Sequence, residues 1–122
     1  MADLLIPQGK TWKVAFPIVG EFETTGWSIR SQVRPYPKHA DVLHEWSSTA
    51  GTAGFETVTA AALTAAGQPS TVDRLCVVLT VAPVASADWD WTEGVYDIEA
   101  TDGVAVLRIA SGTVKVIPEV TR

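Results

Sequence analysis

Gly94-Val95-Tyr96-Asp97-Ile98-Glu99-Ala100, then Thr101-Asp102-Gly103, then Val104-Ala105-Val106-Leu107-Arg108-Ile109 reads as a strand, a tight turn and a second strand. Side chains of an extended chain alternate between two faces, so Tyr96 and Ile98 share one face while Asp97 and Glu99 share the other. The Asp-Gly pair supplies the backbone freedom that a short hairpin turn requires.

The same period of two recurs outward from this hairpin. Thr11 to Phe16 puts Trp12, Val14 and Phe16 on one face, and Trp27 to Arg34 turns Trp27, Ile29, Ser31 and Val33 inward. Asp41 to Trp46 is a less regular strand, and Thr113 to Ile117 closes the set after a turn expected at Ser111-Gly112. Arg74 to Val81 is almost continuously apolar, as a strand covered on both faces would be. Pro35-Tyr36-Pro37 ends the Trp27 strand, because proline cannot donate to an interior ladder. Ser48 to Gly54 reads as a flexible loop, and Thr57 to Gly67 is compatible with a strand, a loop or a short helix. Short strands separated by such turns predict an all-β chain, an antiparallel β-sandwich immunoglobulin-like in size. Residues 1–122 form one domain, with a short N-terminal arm over about residues 1–8. Trp12, Trp27, Ile29, Val77, Leu79, Tyr96 and Ile98 are the expected core.

Nine Lys and Arg stand against fourteen Asp and Glu, a net charge of −5 that opposes general nucleic-acid binding. Arg30, Arg34 and Lys38, with His39 beside them, form a local basic exception. No apolar run approaches the roughly 20 residues of a membrane-spanning helix, and Met1 to Pro7 has no basic region of a signal peptide. A single cysteine, Cys76, lies in the run Leu75 to Leu79 and reads as a buried small hydrophobe. His39 and His44, five apart, make too small a ligand set for a metal. No phosphate loop, nucleophile elbow or Cys-x-x-Cys pair occurs, so neither an enzyme nor a cofactor is expected.

Asp88-Trp89-Asp90-Trp91-Thr92-Glu93 is the most unusual segment. Its acids offer oxygens for calcium and its tryptophans offer rings for a sugar, but a connection packed over the core edge fits the pattern better. Among contact residues, Trp89 and Trp91 are expected as aromatic anchors, and Leu4, Leu5 and Ile6 as an arm along a neighbouring subunit.

The two ends of the chain carry a resemblance. Leu5-Ile6-Pro7-Gln8-Gly9-Lys10-Thr11 and Thr24 to Arg34 stand near the start. Gly94 to Gly103, Leu107 to Val116 and Pro118-Glu119-Val120-Thr121-Arg122 stand near the end. In this order the pieces resemble the LtfC-like β-sandwich domain family of tailed bacteriophages, itself related to the N-terminal domains of baseplate upper proteins. The likeness covers nearly the whole chain and departs between about Pro35 and Thr71. It implies a virion structural protein of the tail tip, baseplate or fibre attachment, present in multiple copies and assembled in the host cytoplasm. Its implied partners are other virion proteins, with no nucleic acid or membrane. A capsid decoration protein and a carbohydrate-binding module for the host surface are the alternatives.

Overall fold

A computed structural model describes residues 3–18 and 22–118. In chain order the elements are β1 (Leu4–Pro7), β2 (Trp12–Pro17), β3 (Ser28–Arg34), β4 (His44–Ser47), β5 (Ala53–Val58), α1 (Ala60–Ala65), β6 (Arg74–Val81), α2 (Pro83–Ala87), β7 (Glu93–Thr101) and β8 (Val106–Ile117). They build two packed sheets, ordered β1-β8-β7-β3-β4 and β2-β6-β5, so the fold is all-β. Every strand pair is antiparallel except β1 with β8, which run parallel.

The core lies between the sheets. Ile29 and Val33 of β3, Trp46 of β4, Tyr96 and Ile98 of β7 and Val114 of β8 face Val77, Leu79 and Val81 of β6. Trp46 is fully buried, and its indole Nε1 donates to the Thr80 carbonyl at 3.1 Å, joining one sheet to the other. Ser31 is the polar member of the inward row, and its hydroxyl donates to the Asp97 carbonyl at 2.6 Å, so it leaves no unmet hydrogen bond. Of the expected core, Ile29, Val77, Leu79, Tyr96 and Ile98 are buried and Trp12 packs half-buried against them. Trp27 instead lies just before β3, where its amide closes a turn onto Thr24 and its ring meets Phe22.

The second face of β6 is covered by α1. Leu63 packs on Cys76 and Val78, which accounts for the unbroken apolar run of that strand. Thr59 caps the helix by accepting from the Ala62 amide at 3.1 Å, and the Asp73 carboxylate takes the Ala60 amide at 2.9 Å. Six residues would not hold a helix alone, so this one depends on its caps and on the burial of Leu63. Cys76 is fully buried here, and burial pushes its thiol above the ordinary value.

Three expectations need correction. The turn expected at Ser111-Gly112 does not form, because β8 runs on through both residues. A bulge takes up the irregularity instead: Ile98 pairs with Ala110 but Glu99 with Arg108, leaving Ile109 as the extra residue. The loop over Ser48 to Gly54 ends early, since β5 begins at Ala53. The N-terminal arm is not free, because Leu4 to Pro7 pairs with Val114 to Ile117 and sends Leu4 and Ile6 into the domain's own core. Met1, Ala2 and Glu119 to Arg122 lie outside the described residues.

Candidate protein-contact surface

The β7–β8 hairpin ends in a turn that is tied on every side. The Asp102 carboxylate accepts the amides of Val104 and Ala105 at 2.9 and 2.8 Å. These two hydrogen bonds, led by that from Ala105, hold its carboxyl below the usual range. Thr101 Oγ1 donates to the Ala105 carbonyl at 2.8 Å and accepts the Gly103 amide at 3.1 Å. Gly103 has a φ of +98°, a conformation side chains other than hydrogen rarely adopt. Thr101 pairs with Ser28, the first residue of β3, so residues 102–105 project beyond that strand. This braced projection carries Val104, 94% exposed, and Ala105, and the first two residues of β8, Val106 and Leu107, follow at 61% and 41% exposure.

Trp89 and Trp91 sit elsewhere, between α2 and β7, half-buried against the main core. Their ring centroids are 4.7 Å apart with the planes 31° from parallel. His44 lies against Trp89 with centroids 4.9 Å apart and planes tilted by 58°, and it meets Trp46 edge-on at 4.7 Å. Burial lowers the His44 pKa, with the Glu45 carboxylate opposing that shift. The two tryptophans therefore close the end of the sandwich and do not form an exposed flat platform of the kind a sugar ring stacks on. The acids of the same segment, Asp88, Asp90 and Glu93, are exposed. Gln8 ties this end down, its side-chain amide donating to the carbonyls of Ala87 at 3.1 Å and Trp89 at 2.9 Å.

Of the three residues expected in a docking arm, Leu4 and Ile6 are core and only Leu5 is exposed, at 57%, beside Lys115 on the outer face of the sheet. His39 and His44 diverge: His39 lies against Tyr36 and accepts the Asp41 amide, while His44 points into the tryptophans. Among the described residues no group of three or more His, Cys, Asp or Glu converges to hold a metal. Arg30, Arg34 and Lys38 do come together, on the outer face of the five-stranded sheet. The exposed hairpin residues were hidden from a sequence reading because Val104 to Ile109 is also what an ordinary strand looks like. The available signal was four consecutive apolar residues directly after an Asp-Gly turn.

No family model matches the chain, and no curated protein matches it.

Proposed function

We propose that this is a non-catalytic assembly module, a structural protein of a tailed-phage particle that acts through contacts with other virion proteins in the tail tip, baseplate or fibre attachment. The observation that carries the contact role is the β7–β8 hairpin, which holds Val104 in solvent on a turn braced by Asp102 and Thr101, with Val106 and Leu107 exposed at the start of the strand that follows. A run of exposed apolar side chains is unfavourable in water unless a partner covers it. A turn fixed in advance loses little conformational freedom on docking, so more of the apolar burial appears as affinity. The phage assignment is supported by the resemblance at the two ends of the chain. The strand order, with β1 parallel to β8 and successive strands crossing between the two sheets, supports the reading of the fold as an immunoglobulin-like sandwich.

The test is the protein content of purified particles from cells that carry the gene. Mass spectrometry should find the chain at a fixed ratio to the major tail protein after repeated density-gradient purification. Loss of the chain from particles during purification, or its presence only in the soluble fraction, would overturn the assignment.

A further inference from the structure

We propose that a partner protein adds a strand of its own to the edge of β8 beside Val106 to Ala110, and that this strand carries apolar side chains at alternate positions. Such pairing rests on the reading of the hairpin as a contact surface and gives that surface a partner of defined shape. Strand β8 runs for 12 residues, Val106 to Ile117, but the four residues of β1 cover only Val114 to Ile117. On its other side β8 pairs with β7 from Val106 to Lys115. Among the described residues, no strand lies along Val106 to Ala110 on the side away from β7. An open edge of this kind offers backbone amides and carbonyls to a further strand.

Strand β1 shows what a neighbour does for β8. Beside it Val114 and Val116 are buried, and its own Leu4 and Ile6 are buried with them. Past the end of β1 the margin of the core is open. Ile29, Ala100 and Leu107 form one row across β3, β7 and β8, and they are 2%, 0% and 41% exposed. Ile29 and Ala100 are sealed at the same level of the sandwich, so Leu107 is exposed for want of a neighbour on its outer side. Ile109, the extra residue of the bulge, and Ala110 beside it also pack on the core while remaining part-exposed.

These positions define the occupant. Every second side chain of an extended segment falls on one face, so two apolar residues two positions apart would close the margin beside Leu107 and Ala110. Strand β7 already meets the same two residues with Ala100 and Ile98, which have that spacing, so the bulge is no bar to a regular partner. It does blunt the edge against a long flat strand, which favours a short segment of about the length of β1. A second copy of this chain fits poorly. Arg108 is the middle residue of the open stretch, so antiparallel pairing of two copies about it sets two Arg108 side chains directly opposite. The exposed ion pair of Arg108 with Asp97, at 3.7 Å, offsets little of that repulsion.

The full chain, labelled with nitrogen-15, is titrated with a short synthetic peptide that alternates valine with threonine between terminal lysines. A peptide of the same composition with its valines in one block is titrated in parallel. The alternating peptide should shift the amides of Val106, Leu107, Arg108 and Ala110 saturably, and the block peptide should bind about ten-fold more weakly. Leu107→Lys, at a part-exposed position, should stay folded and bind the alternating peptide about ten-fold more weakly, the usual scale for one apolar anchor. Val84→Lys adds the same charge at an exposed position on α2 and should bind as the parent does. Alone, the chain should sediment as a monomer. Any of four results overturns the pairing: no shifts at these residues up to about 1 mM peptide, equal binding of the block peptide, unchanged affinity in a folded Leu107→Lys protein, or a dimer of the chain alone whose formation shifts the same amides. The block peptide tests the alternation without relying on a variant that must fold. Absence of the chain from particles would leave the strand pairing standing, and absence of peptide binding would leave the virion assignment standing.

Discussion

Gly94 lies directly against Val33: a Cβ added at Gly94 would sit 2.7 Å from Val33 Cγ1 and 2.9 Å from the Arg34 carbonyl oxygen. Both obstacles belong to β3, the neighbour of β7 in the middle of the five-stranded sheet, and Val33 is fully buried. Neither can retreat without moving the sheet. Gly94→Ala should therefore destabilise the fold by about 1–3 kcal/mol, as overpacking of a filled core does. Urea unfolding of the variant checks this, and parental stability would mean that the β3–β7 contact is looser than described.

Close approach of this kind has no local signature, and the same boundary separates what the sequence revealed from what it concealed. Ser28 to Arg34 and Glu93 to Thr101 were legible because each has one buried and one wetted face, which imposes strict alternation. Arg74 to Val81 was legible as doubly covered, although only the structure identifies Leu63 of α1 as the second cover. The pairing of β1 with β8 was not legible. Leu4, Leu5 and Ile6 are three apolar residues in a row, and nothing near them records that Val114 and Val116 lie alongside. The bulge at Ile98 and Glu99 was equally silent, so Ser111-Gly112 passed for a turn on composition alone. Of the contact surface, the basic trio was visible as a cluster. The open edge of β8 was not, because it depends on how little of that strand β1 covers.

The corrected role of the N-terminal segment has a direct consequence. Ile6 is fully buried and Leu4 nearly so, so Ile6→Ala should cost about 2–5 kcal/mol. Removing residues 1–6 should do more harm, since it also takes away most of an edge strand from β8. Thermal unfolding of both variants tests this. A truncated chain with the parent's midpoint would show that the segment is dispensable and would restore the idea of an arm free to dock elsewhere.

Acid should weaken the fold through His44. Burial between Trp46 and Trp89 depresses its pKa below the ordinary 6.5, and the neighbouring Glu45 carboxylate offsets this only in part. In the window below 6.5 the unfolded chain binds a proton that the folded chain does not, so stability falls as pH falls until the folded-state pKa is passed. Urea unfolding at about pH 7.5 and about pH 5.5 should show this loss in the parent. The loss should be smaller in His44→Phe, which fills the same space without a titrating group. Identical pH dependence in the two proteins would place the acid sensitivity on other groups.

The hairpin allows folding and assembly to be separated. Val104 and Val106 are more than half exposed and belong to neither core cluster. Replacing both by Asp should therefore change stability by no more than about 0.5 kcal/mol per site, the usual range for surface positions. If a virion partner covers them, the same change brings two charges into an apolar contact, and incorporation into particles should weaken by more than about 1 kcal/mol per anchor. Asp102→Ala makes a complementary variant. It keeps the apolar surface but removes the acceptor for the Val104 and Ala105 amides, so it should loosen the turn and weaken docking without adding charge. Competition between parent and variant chains for entry into particles, read by mass spectrometry, measures both effects. The carbohydrate alternative predicts a different division, with hairpin variants entering particles normally and a Trp89 and Trp91 double variant losing only attachment to the host. Equal incorporation of the parent and the double Asp variant, with both folded, would mean that no partner covers the hairpin and that the assembly contact lies on another face.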